Sequence, residues 1–152
     1  MESKTIEEVI AELAFFKDLD PEHLRLIFGC ATKMNFKQGH FLLTQGNNAD
    51  YFYIISSGRV HIEADAGDKG PVTIESLGSG DILGWSWLIP PYKWRFDALV
   101  LEPTSVIAFE GKRLRALCEE NKQFGYEMFK RVTHVITHRL LATRMKLMEF
   151  YA

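Results

Sequence analysis

From Ala31 to Phe109 apolar residues recur at every second position in short runs, and turn-forming residues interrupt them again and again. A period of two belongs to strands with one buried face. The runs predict strands over 32–37, 40–44, 51–57, 59–64, 71–76, 81–83, 96–101 and 104–109. Lys37-Gln38-Gly39, Gln45-Gly46-Asn47-Asn48, Ser57-Gly58, Gly67-Asp68-Lys69-Gly70, Gly78 and Gly80 punctuate them. Strands this short and this numerous close on themselves as a sandwich or roll. Gly46 and Gly58 are expected to take backbone angles that a side chain would forbid.

Helical patterns flank the strands. Thr5 is placed to cap a helix over 5–17, with Glu8 three residues on and Ile6, Val9, Ile10, Leu13 and Ala14 on one face. Phe15 and Phe16 anchor its exit. Asp20-Pro21-Glu22 reads as a second start: a cap, a proline in the first turn and an acid at the positive end of the dipole. That helix, over 21–31, turns Leu24, Ile27 and Phe28 inward. Glu110-Gly111 leads a short helix over 111–119, with Leu114 and Leu117 inward. Asn121 caps a long last helix over 122–150, where Phe129, Val132, Ile136, Leu140, Leu147 and Phe150 form a stripe. A helix this long on a small domain buries such a stripe against a second chain, so the expected assembly is a homodimer through 122–150. The expected fold is mainly β: a double-stranded β-helix, or jelly-roll-like β-roll, with N-terminal helices and a long C-terminal helix. It reads as a single domain over 1–152, with N-terminal helices in 1–31, the roll in 32–110 and C-terminal helices in 111–152.

Composition narrows the function. A hydrophobic content of 47% with 25% charged residues is that of a globular protein. A net charge of -2 advertises neither nucleic-acid nor anionic-membrane binding. No basic segment leads into an apolar run at the N-terminus, and no apolar run reaches membrane-spanning length. Cys30 and Cys118 stand far apart in helical surroundings and read as buried thiols rather than a metal pair. The expected location is the cytoplasm.

One stretch resists both periods. Gly78 to Leu99 reads GSGDILGWSWLIPPYKWRFDAL and gathers all three tryptophans, two adjacent prolines and a single arginine. With F36-K37-Q38-G39-H40-F41-L42-L43-T44-Q45-G46-N47-N48-A49-D50-Y51-F52-Y53-I54-I55-S56-S57-G58-R59-V60 ahead of it, the chain resembles the cyclic-nucleotide-binding domain family. That family includes sensory domains of catabolite-activator-type regulators, regulatory subunits of cAMP-dependent kinases and nucleotide-gated channels. Gly39, Gly46 and Gly58 match the glycines that turn the family's roll, and Asp50-Tyr51-Phe52-Tyr53-Ile54-Ile55 looks like its inner strand. L77-G78-S79-G80-D81-I82-L83-G84 looks like the run into its phosphate-binding cassette, here segment 78–99. The resemblance implies a non-enzymatic sensor for cAMP, cGMP or a related anion, signalling through the C-terminal helix. The implied site residues are Gly84, Trp85, Ser86, Trp87, Arg95 and Asp97. Backbone N–H groups and an arginine suit a cyclic phosphate because each donates to a single negative charge.

The cassette departs from the family pattern in two places. Trp85 stands where the ribose-binding glutamate belongs, and indole has a donor but no acceptor. Phe96-Asp97-Ala98 follows Arg95 where the family shows Ser or Thr and then Ala. Asp97, on the same face as Arg95 in extended chain, is positioned to pair with it. Pro90-Pro91 removes two backbone donors. A second reading therefore stays open: a degenerate member that binds no nucleotide and acts as a dimerising interaction domain. A third, an aromatic pocket for a lipid or haem, lacks an axial ligand for haem.

Other chemistry is weakly signalled. His134 and His138 are four apart on the last helix, but no helical glutamate completes a zinc motif. No serine occupies a Gly-x-Ser-x-Gly turn. The His and Glu set of a cupin-type metal enzyme is absent. The sequence predicts no enzyme and no metal. The DNA-reading domain of catabolite activators does not follow the long helix, so no direct DNA binding and no membrane contact are expected.

Overall fold

A computed structural model describes residues 4–152. The backbone divides into two compact units, one ending at Arg115 and the other formed by Ala116–Ala152.

The first unit opens with α1 (Ile6–Glu12), capped by the Thr5 hydroxyl, which accepts from the Glu8 N–H at 3.2 Å. The helix is shorter than the 5–17 expected. Leu13 turns extended, and Ala14–Phe16 form a separate 3-10 turn. Adjacent residues of an α-helix point about 100° apart, whereas here Phe15 and Phe16 are both buried. The break lets both rings enter the core, and it leaves Ala14 exposed rather than on the buried face. α2 (Pro21–Phe28) starts as its sequence demands, with the Asp20 carboxylate accepting from the Glu22 N–H at 2.8 Å. It stops short of residue 31 because Ala31 already pairs as a strand.

Seven strands follow: β1 (Ala31–Phe36), β2 (Phe41–Leu43), β3 (Tyr51–Ser57), β4 (Val60–Asp65), β5 (Pro71–Leu77), β6 (Asp97–Val100) and β7 (Thr104–Glu110). They form two antiparallel sheets, ordered β1-β7-β3 and β2-β6-β4-β5. The roll and its flanking helices stand as expected, and the predicted strand over 81–83 does not. It survives as one bridge, Ile54 to Ile82, because Gly80 and Asp81 spend their backbone groups on Ile55 at the mouth of a turn. In β3, Phe52 through Ile55 are all buried, so this strand is covered on both faces.

At the centre is an aromatic cluster. The Phe52 ring packs against Phe15 at 5.3 Å, Phe109 at 5.5 Å and Trp87 at 5.0 Å between centroids. Phe16 reaches the same cluster through Phe109 at 5.6 Å. The N-terminal 3-10 turn, the inner strand and the segment between β5 and β6 thus share one core.

α3 (Gly111–Glu120) begins in the first unit and ends in the second, and α4 (Lys122–Tyr151) follows. Asn121 caps α4 by accepting from the Phe124 N–H at 3.0 Å. α4 approaches α3 closely at Gly125, where an added Cβ would lie 2.6 Å from the Cys118 carbonyl oxygen.

Candidate functional site

The segment between β5 and β6 carries every predicted site residue but Asp97, which opens β6, and its backbone bonds explain its shape. It leaves β5 through a turn in which the Asp81 carboxylate accepts from the Gly78 N–H at 2.9 Å. Asp81 is therefore a turn residue. The chain then runs beside β3, with the Leu83 N–H donating to the Tyr53 carbonyl at 3.1 Å. Gly84 is required by what faces it: a Cβ there would meet the Trp94 ring at 2.9 Å.

Residues Trp85–Leu88 make one tight turn, closed by the Leu88 N–H donating to the Trp85 carbonyl at 3.0 Å. Trp85 is half-buried. Ser86 is buried to 8% exposure, with no hydrogen bond from its hydroxyl among the described residues. Trp87 is wholly buried, stacked on Phe52 with 20° between the ring planes. Its indole Nε1 has no acceptor among the described residues. A buried donor without a partner costs about 1–3 kcal/mol, so stacking and burial of the large ring must outweigh that loss.

Pro90-Pro91 is a cis peptide, and the chain then returns along the Gly46 turn. The Ala49 N–H donates to the Tyr92 carbonyl at 2.8 Å, the Trp94 N–H to the Asn47 carbonyl at 2.9 Å, and the Gly46 N–H to the Trp94 carbonyl at 2.9 Å. The Lys93 ammonium donates to Asn48 Oδ1 at 2.8 Å. A polar cleft of about 400 Å³ lies here, between Gly46, Asn47, Asn48, Asp50 and Lys93.

Arg95 and Asp97 are not joined. Asp97 Oδ1 accepts from the Gln45 N–H at 2.7 Å, so the carboxylate braces β6 against the loop before β3. Arg95 is exposed and enters no ion pair among the described residues. The Arg–Asp pairing that the spacing allowed is not formed, and Asp97 instead makes a backbone brace that leaves the guanidinium exposed. The structure brings Gly84 against Trp94, next to Arg95, and turns Asp97 to a different task.

Arg115 escaped the sequence reading. Its guanidinium donates to the Trp87 carbonyl at 2.6 Å and lies 4.2 Å from the Tyr92 ring centroid. Lys112, Arg113 and Arg115 look in sequence like one solvated helix face, and nothing in their spacing singles out the third. Neither thiol is poised for chemistry. Burial pushes the Cys118 thiol up to about 11, and burial likewise raises Cys30. Among the described residues no cluster of three or more His, Cys, Asp or Glu is spaced for a metal ion, and no helix is long and apolar enough to cross a membrane.

A two-sheet roll with a glycine-turned segment between its fifth and sixth strands defines a class of β-roll. The model of the cyclic nucleotide-binding domain matches residues 33–121, and the chain belongs to that family. It is 21% identical over 144 residues to a CRP-like cAMP-activated global transcriptional regulator of Mycobacterium tuberculosis, covering 95% of this chain and 62% of the relative. A cyclic nucleotide-binding domain from Methylobacillus flagellatus superposes with a TM-score of 0.80 at 23% identity, over 95% of this chain and 81% of that one. The catabolite activator protein of Thermus thermophilus gives 0.71 at 20% identity, over 90% of this chain and 62% of that one. These likenesses establish the fold, and this chain spans about three fifths of the transcriptional regulators it matches.

Proposed function

We propose that this chain is a non-enzymatic regulatory module of the cytoplasm that holds a small anion at its cassette. The family makes a cyclic nucleotide the first class to consider. The observation that carries the reading is the release of Arg95. Asp97 is occupied by the Gln45 N–H, and the guanidinium of Arg95 stands exposed with no ion pair among the described residues, one position along the chain from the Trp94 ring that faces Gly84. An exposed guanidinium offers two parallel donors to a phosphate. Among the described residues the backbone N–H groups of Gly84, Ser86 and Trp87 have no backbone acceptor, a second source of donors.

The missing carboxylate has a consequence for selectivity. Trp85 cannot accept from a ribose hydroxyl, so the ligand is held by its phosphate and by stacking rather than by its sugar. Titration calorimetry with cAMP, cGMP and a cyclic dinucleotide tests the reading. Arg95→Gln should abolish the heat, and Asp97→Asn should leave it. Absence of heat with every one of the three at millimolar concentration rejects ligand binding.

The burial of Trp87 supports the second reading, in which the cassette serves as structure and the chain acts through its helices alone. Both readings place the output on α4. Phe129, Leu140, Leu147 and Phe150 of the predicted stripe are 44%, 49%, 55% and 81% exposed, while Val132 is buried. The open part of the stripe pairs with a helix of a second chain, and ligand occupancy shifts which helix position is populated. A second copy of this chain, the homodimer expected from the sequence, is one such pairing, and a helix of another protein is the other.

A further inference from the structure

The charges beside the open stripe of α4 select what can cover it. Phe129, Thr133, Ile136, Leu140, Thr143, Leu147 and Phe150 recur at alternating steps of four and three, the seam of a heptad helix pair. The residues flanking that seam from Thr133 onward are Thr137, Arg144 and Tyr151 on one edge and Arg139 and Lys146 on the other. Every charged flanking residue is a cation. α4 has two acids: Glu127, already paired with Lys130 at 3.0 Å and Arg131 at 3.4 Å, and Glu149, on the side away from the seam.

A parallel second copy would set Arg139 of one chain against Arg144 of the other, on both edges of the pair. Reversing one helix apposes each edge with its own kind, again cation to cation. Flanking charges set partner choice in helix pairs, and like charges there oppose association. Beyond the Arg144 edge the apolar surface continues through Leu141, Met145 and Met148, which are 53%, 65% and 71% exposed. Methionine repacks readily around a partner and widens the contact on that side.

We propose that the distal half of α4 is a docking surface for an acidic amphipathic helix of another protein, one with carboxylates on both edges of its apolar seam. The proposal rests on reading α4 as the output surface and names its partner by charge. Self-association through the same seam is weak and strengthens with salt as the cations are screened.

The test uses the full chain and two designed helical peptides. Both carry Leu along the seam; one has Glu and the other Lys at every flanking position. Calorimetry should show the Glu peptide binding at least about tenfold more tightly than the Lys peptide. Arg144→Glu with Lys146→Glu should reverse that order and strengthen self-association in sedimentation equilibrium, with helix content unchanged by circular dichroism. Equal affinity for the two peptides overturns the proposal and leaves the output reading standing. A wild-type dimer as tight at low salt as that of the double variant does the same. Binding to phosphatidylserine vesicles without binding to the Glu peptide overturns it in favour of a lipid surface. A chain that binds neither peptide, and is monomeric at every salt concentration in wild type and variant alike, overturns the output reading as well.

Discussion

Arg115 holds two points of the cassette at once, the Trp87 carbonyl at 2.6 Å and the Tyr92 ring at 4.2 Å. A guanidinium can do this because its donors fan out in a plane while its face remains free to stack. Arg115→Ala should destabilise the roll by about 1–3 kcal/mol in denaturant unfolding. Arg115→Lys should recover part of this, since an ammonium replaces either contact but not both. A variant as stable as wild type would mean that the contact contributes nothing net.

Trp87 tests what the aromatic cluster is worth. Trp87→Ala should cost about 3–5 kcal/mol, the range for emptying a large aromatic site. Trp87→Phe should cost much less, because it retains a ring on Phe52 and deletes a buried N–H that has no acceptor. A Phe variant as damaged as the Ala variant would show that the indole N–H does find a partner in solution.

Gly125 should invert the usual rule for helices. Glycine inside a helix costs about 1 kcal/mol relative to alanine, so Gly125→Ala would ordinarily stabilise α4. Here the new methyl would lie 2.6 Å from the Cys118 carbonyl oxygen and must separate the two helices. The expected result is a lower melting temperature. A stabilised variant would refute the close approach.

Alkaline pH should weaken the fold through its buried thiols and a buried phenol, Cys118 and Tyr53 foremost. Cys118 titrates near 11 when folded, against an ordinary 9.0, because burial disfavours the thiolate. Burial, then Tyr51 and Asp50, raise Tyr53 from 10.0 to about 12. A folded-state value above the unfolded one means that the unfolded chain releases its proton first. Stability is then intact below the unfolded values and falls as pH rises through the folded ones. Unfolding followed from pH 8 to pH 12 should show the decline beginning near about 9 and continuing through about 12. Cys118→Ala should remove its early part.

The sequence made the roll legible because its signals are local. Period-two alternation and glycine turns placed seven of the eight predicted strands, and Thr5, Asp20 and Asn121 each cap the helix they were expected to cap. The α1 break was hidden because Phe15 and Phe16 continue an apolar pattern that a helix could carry. Only the aromatic cluster, assembled from residues far apart in the chain, makes a tighter turn preferable. That segment 78–99 would follow neither period was legible, and the contacts of its side chains were less so. Arg95 and Asp97 sit at a spacing that suggests a pair, and a backbone N–H fifty-two positions away claims the acid. Arg115 gave no local signal, since its partners are a carbonyl and a ring face rather than an opposite charge.

Trp85, Trp87 and Trp94 are the whole tryptophan content of the chain, and all lie on the cassette. Tryptophan emission, excited at wavelengths longer than tyrosine absorbs, therefore comes from this one segment. Trp87 and Trp94 are buried and Trp85 is half-buried, so their emission records solvent entry and ring displacement at the cassette, with no background from the rest of the roll or from α4. The protein needs no label to report whether its cassette has moved.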